Sequence, residues 1–137
     1  MICSLKVQNF LELVKEGQGI PYDGLLLTFS SSDPRYSYVI STLGFAKQVK
    51  EKVVISDRAL IGAYYWKVAS NFIEIANEII TIGLNNDEKE LYISSTIQKG
   101  IESGLQFKVV EGNFESFGTP EELALYKTNA KSPRFKL

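Results

Sequence analysis

Residues Lys50–Lys67 read KEKVVISDRALIGAYYWK. A charged group, Lys50, Glu51 and Lys52, precedes a nearly unbroken apolar run from Ala59 to Trp66, interrupted by Gly62. Apolar runs of this length fill strands that are buried on both faces of a parallel or mixed sheet. The stretch therefore predicts a central strand with a charged pair beside one end. Such a pair is a place for an anionic ligand: Lys52 as a point charge for phosphate, Glu51 as an acceptor for hydroxyls. The alternative is a solvated cluster, because charged residues mostly face water. Gly62 marks either a bulge or close approach to the backbone, or a site packed beneath a helix. The polar tips of Tyr64, Tyr65 and Trp66 need partners if their rings are buried.

Outward from this stretch, helices and strands alternate. Val7, Phe10, Leu11 and Val14 stand at helical spacing before Gly17 and Gly19. DGLLLTF (Asp23–Phe29) reads as a buried strand entered at Gly24. SSSDPR (Ser30–Arg35) is a loop, since Pro34 restricts Asp33 away from helix. YSYVIST (Tyr36–Thr42) and Ala46–Val49 are two further strands around Gly44. Phe72, Ile75, Ala76 and Ile79 predict a helix ending near Gly83, and Ile93, Ile97 and Ile101 another stopped by Gly104. Asn85–Glu90 is a polar connection in which Asp87, Glu88 and Glu90 are expected to be solvated. Gln106–Val110 is a strand, and Phe114–Phe117 another. Thr119-Pro120-Glu121-Glu122 is a capping box with proline at the first helical position, followed by a helix over about Glu121–Thr128. The order implies one α/β domain with a mixed sheet over residues 1–128, and a tail over 129–137.

Composition narrows the chemistry. A chain of 137 residues buries roughly 68% of its unfolded surface and can hold a core. The net charge of -1 gives no basic excess for nucleic acid or an anionic membrane surface. Lys6 and Glu12 interrupt the N-terminal region, so no signal peptide is expected, and no run reaches the ~20 apolar residues of a membrane span. Cys3 is the single cysteine, which fits a reduced, cytoplasmic setting. With no histidine, Ser-His-Asp and Cys-His activation and the usual zinc sites are excluded. No glycine-rich phosphate loop is present: Gly17-Gln18-Gly19 is too short and lacks a following helix.

Three segments together resemble the sugar-phosphate nucleotidyltransferases, which join a nucleoside triphosphate to a sugar phosphate and release pyrophosphate. They are DGLLLTFSSSDPRYSYV (Asp23–Val39), EKVVISDRALIGAYYWK (Glu51–Lys67) and FGTPEEL (Phe117–Leu123). Their order is similar to the second half of that family's catalytic domain, with the capsule and lipopolysaccharide branch nearest. The resemblance implies a Rossmann-like α/β/α sandwich with a mixed sheet, incomplete because the nucleotide-binding first half is missing. It implies that Tyr36 and Ser37 contact the sugar, that Glu51 binds sugar hydroxyls, that Lys52 stands near the sugar phosphate, and that Leu60 and Tyr64 line the sugar pocket. The family's glycine-rich loop and first metal-binding Asp have no counterpart here, and its second metal Asp would fall near Ser116. Mg²⁺ is thus expected only for the complete family domain, with no cofactor in this chain. The expectation is either a part of a transferase that is not catalytic alone, or a naturally short, non-catalytic relative that binds a sugar phosphate or a partner protein; in both cases self-association through exposed sheet or apolar surface is expected.

Overall fold

The computed structural model describes residues 12, 14–15, 19, 21–86, 90–112, 114 and 119–130. The elements bounded within the described residues are β1 (Gly24–Ser30), β2 (Tyr38–Thr42), β3 (Phe45–Lys50), β4 (Arg58–Trp66), α1 (Ala69–Asn85), α2 (Ile93–Glu102), β5 (Phe107–Glu111) and α3 (Pro120–Ala130). Most of the helix expected over Val7–Val14 lies outside the described residues, as do Asp87 and Glu88, most of Phe114–Phe117 and the chain beyond Ala130. Positions 129 and 130, expected in a tail, belong to α3.

The pairing follows the order β1-β4-β2-β3-β5 and returns to β1. β1 lies parallel to β5, from Gly24 opposite Phe107 to Thr28 opposite Glu111. Its other edge runs antiparallel to β4. β2 and β3 form a hairpin through Leu43 and Gly44, both at positive φ (51° and 80°). That is the backbone twist a two-residue hairpin loop prefers. The ring closes through two narrow pairings, Tyr38 with Ala59 and Phe45 with Lys108. The fold is mixed α/β, as the alternation implied, but its strands close into a small barrel where a Rossmann-like α/β/α sandwich with a mixed sheet was expected.

The strand buried on both faces is β1, not β4. Leu25, Leu26, Leu27 and Thr28 are all excluded from solvent. Leu26 joins Val39, Val49, Leu60, Ile97 and Phe107 in the main core, whereas Leu25 packs with Tyr22, Phe45 and Tyr65. In β4 only Ala59 and Leu60 are buried, and the rest of the strand is half-buried or exposed. A bulge explains the difference. The register shifts between Leu26 and Thr28, and opposite that shift Gly62 adopts φ +88° in open space. Of the two readings of Gly62, the bulge is the one formed.

α2 covers the core from the opposite side, with Ile97 fully buried. A Cβ at Gly100 would stand 2.9 Å from the Phe107 ring, so glycine lets this helix approach β5. Ile93, expected on the same apolar face, is exposed instead. α1 packs Ile75, with Phe72, Ala76 and Ile79 half-buried beside it, on the face its spacing predicted. Gly104, at φ +90°, ends α2 as expected. The capping box of α3 is formed: Glu122 N–H donates to Thr119 Oγ1 at 3.2 Å, and Thr119 N–H to the Glu122 carboxylate at 3.2 Å.

Candidate functional site

The loop between β1 and β2 positions one side of the site. Asp33 accepts from the Arg35 N–H at 2.9 Å and from its guanidinium at 2.6 Å, which closes the turn anticipated at Asp33-Pro34. This guanidinium holds the Asp33 carboxyl below the ordinary carboxylate range. The same Arg35 reaches Glu122 of α3 at 3.1 Å. The buried Tyr38 hydroxyl donates to the Asp33 carbonyl at 2.7 Å and ties the loop to the core. Two backbone bonds then fix the residues between: Leu60 N–H to the Ser37 carbonyl at 2.8 Å, and Lys52 N–H to the Tyr36 carbonyl at 3.1 Å. Ser37 is thus pinned between β4 and the turn that follows β3.

Glu51 and Lys52 occupy that turn. The Glu51 carboxylate accepts hydrogen bonds from the hydroxyls of Ser37 and Ser94, the latter at 2.5 Å. Both donors reach the same oxygen, Oε2. Ser94 is the second residue of α2, so the carboxylate stands near a helix N-terminus, where negative charge is favoured. Lys52 has φ +53°, a left-handed conformation uncommon outside glycine, asparagine and aspartate. Its ammonium donates to the Tyr92 hydroxyl at 2.6 Å, lies 4.6 Å from the centroid of that ring and 3.6 Å from Glu90. The Tyr92 hydroxyl in turn donates to Glu90. Hydrogen bonding to Tyr92, with the Glu90 charge beside it, pushes the Lys52 pKa up. The Tyr92 hydroxyl, then the Lys52 charge, lower that of Glu90. Burial, with the Glu51 charge as a smaller cause, raises the Tyr64 phenol to about 12.

A cleft of about 320 Å³ opens beside Glu51, lined by Val49, Ile79, Ser94, Gln98 and Lys99 among others. Gln98 closes its floor by accepting the Val49 N–H at 2.7 Å. Glu51, Ser94, Ser95, Lys50 and Lys99 give this cleft a carboxylate acceptor, hydroxyls and cations, which suits a polyhydroxylated anion, and Lys52 stands outside its lining.

Of the residues named from sequence, the structure brings Ser37, Glu51 and Lys52 together, with Tyr64 within electrostatic reach of Glu51. Leu60 supports them from the core and holds Ser37 through its backbone. Tyr36 contributes its carbonyl, but its ring packs elsewhere, edge-on to Phe29 (5.1 Å) and Phe114 (6.1 Å). Sequence reasoning missed Ser94, Tyr92 and the pairing of Glu90, which it assigned to a solvated connection. The hydroxyl run Ser94-Ser95-Thr96 was the available signal: hydroxyl residues in a helix interior need a partner, and Ser94 and Thr96 are buried. Among the described residues no group of three His, Cys, Asp or Glu side chains stands close enough together to hold a metal ion. Among them, too, no helix is long and apolar enough to cross a membrane.

No protein-family model matches the sequence, and no curated protein matches it. Solved structures do. A nucleoside-diphosphate-sugar pyrophosphorylase from Vibrio cholerae superposes with a TM-score of 0.69 at 23% identity, covering 80% of this chain and 47% of that one. A Bacillus anthracis protein assigned as a glucose-1-phosphate thymidylyltransferase, solved with sucrose, gives 0.69 at 19% identity over 99% and 53%. The inositol-1-phosphate CTP transferase of T. maritima gives 0.54 at 14% identity over 82% and 46%. The chain therefore has a nucleotidyltransferase-like fold and spans about half the length of the solved structures it matches.

Proposed function

We propose that this chain is a sugar-phosphate nucleotidyltransferase-like protein of surface polysaccharide biosynthesis, and that its described residues form a sugar-phosphate site. The observation that carries the proposal is the Glu51 carboxylate, held on one oxygen by Ser37 and Ser94 with Lys52 next in sequence. In this reading Oε1 of Glu51 accepts from sugar hydroxyls and the Lys52 ammonium faces the phosphate. Tyr64 and Leu60 form the wall behind Ser37, and Tyr36 holds the loop through its carbonyl and its aromatic contacts. The fold shared with sugar-nucleotide enzymes supports this assignment.

The isolated chain binds and does not transfer. Nucleotidyl transfer needs cationic groups and Mg²⁺ to neutralise the triphosphate, and this sequence holds no glycine-rich phosphate loop. Isothermal titration of a hexose 1-phosphate into the purified chain tests the proposal. Heat that saturates in wild type, persists with EDTA and weakens strongly in Lys52→Ala is expected. No saturable heat in wild type would sink it.

A second reading, a protein-interaction module that self-associates, draws on α1. Ile73, Ile80 and Leu84 are exposed at spacings of seven and four, a stripe pointing away from the core face. Sedimentation velocity at increasing concentration separates the readings. A dimer lost in Ile80→Glu favours association, whereas a monomer throughout removes it.

A further inference from the structure

Lys52 is the cation that the sugar-phosphate reading directs at the phosphate, yet its ammonium already has three partners. Its Nζ donates to the Tyr92 hydroxyl at 2.6 Å, lies 4.6 Å from that ring's centroid and stands 3.6 Å from the Glu90 carboxylate. The Tyr92 hydroxyl spends its proton on Glu90, so its lone pairs are free for the lysine. Tyr92 sits at the N-cap of α2, two residues before Ser94, which holds Glu51. The Lys52 backbone is kept left-handed, with its N–H bonded to the Tyr36 carbonyl at 3.1 Å, which sets the direction in which the side chain leaves the turn. The two neighbours Glu51 and Lys52 are thus both tied to the start of α2, one through Ser94 and one through Tyr92.

We infer that Glu90 and Tyr92 form a carboxylate latch on Lys52, which engages its ammonium and must release it when an anionic ligand enters. This rests on the sugar-phosphate reading for the identity of the ligand, but the latch itself is a property of three side chains. Glu90 is a competitor: its negative charge offsets the lysine and repels an incoming phosphate. Tyr92 is a positioning residue: its ring and hydroxyl hold the ammonium at the start of α2 whether or not the carboxylate is paired. The two roles make opposite predictions. Removing the charge of Glu90 strengthens binding, and removing the hydroxyl of Tyr92 frees the ammonium without helping the ligand find it. The side chains of Lys52 and Glu90 are 52% and 68% exposed, so substitutions there leave the core untouched.

The test uses hexose 1-phosphate titrations of wild type, Glu90→Gln and Tyr92→Phe, together with acetylation of Lys52 by limiting acetic anhydride, read by mass spectrometry. Glu90→Gln is expected to bind about three- to tenfold more tightly than wild type, the size of a partly screened charge effect. Tyr92→Phe is expected to bind no better than wild type. Lys52 is expected to acetylate faster in both variants. Binding in Glu90→Gln alone supports the latch, since wild type is then held closed. Wild-type binding that Glu90→Gln leaves equal or weakens overturns the latch while the sugar-phosphate reading stands. If neither protein binds, that reading fails, and acetylation decides the latch alone: faster labelling supports it, and equal labelling overturns it.

Discussion

β1 and β4 are adjacent antiparallel strands, and both are apolar runs in the sequence, yet they do different work. β1 has a hydrogen-bonded neighbour along each edge for most of its length and packs side chains on both faces. β4 pairs fully along one edge only, touches β2 through the single pair Tyr38–Ala59, and bulges at Gly62. The strand that is fully packed holds the fold. The strand that is irregular and half-buried borders the site, with Leu60 fixing Ser37 and Tyr64 standing near Glu51. Bulges bend a strand and re-aim its side chains, and this one lies on the strand that borders the candidate site.

Truncating each strand should break this comparison most visibly. Leu26→Ala removes a fully buried side chain of the main core and is expected to cost about 2–5 kcal/mol in urea unfolding. Ile61→Ala, on half-buried β4, is expected to cost less than half as much. Equal losses would mean that β4 shares the core after all.

The two strand glycines give a second contrast. A Cβ at Gly24 would meet the Tyr65 carbonyl oxygen and stand 2.7 Å from the Phe107 ring. Gly24→Ala should therefore cost about 2 kcal/mol through overpacking. At Gly62 the space is open and only the positive φ opposes a side chain, so Gly62→Ala should cost about 1 kcal/mol. Urea midpoints in the reverse order would contradict the bulge.

Alkaline unfolding sharpens the role of Tyr64. Its phenol is raised to about 12 in the folded chain from a reference of 10.0, so the folded state holds this proton more tightly. That contribution is fully present below pH 10 and is lost as pH rises through 12. Tyr64→Phe should lose less stability than wild type across this window, by about 3 kcal/mol at most. Parallel pH profiles of the two proteins would show that Tyr64 is not shielded.

The strands were legible because their signals are local. Gly24, Gly44 and Gly104 punctuate the chain where turns require them, and each described strand lies within two residues of its expected bounds, β2 starting at Tyr38 where Tyr36 was expected. The rank of the strands was not legible. β1 becomes the buried strand because β5, more than eighty residues later, pairs with its second edge, and no window of sequence contains that contact. The site divided in the same way. Glu51, Lys52 and Ser37 belong to segments with recognisable patterns, whereas Ser94 and Tyr92 reach them only because α2 crosses over the end of β3. Ile93 shows the converse: it keeps the helical spacing of Ile97 but turns outward where α2 gives its buried surface to hydroxyls.

The central claim is that Glu51 reads the sugar while Lys52 meets the phosphate. Titrating hexose 1-phosphate and inorganic phosphate separately into wild type and Glu51→Gln tests it most directly. The account predicts that Glu51→Gln weakens hexose 1-phosphate about tenfold, the loss of one charge-assisted hydrogen bond, and binds inorganic phosphate no less tightly than wild type. Equal weakening of both ligands, or no change in either, would contradict it.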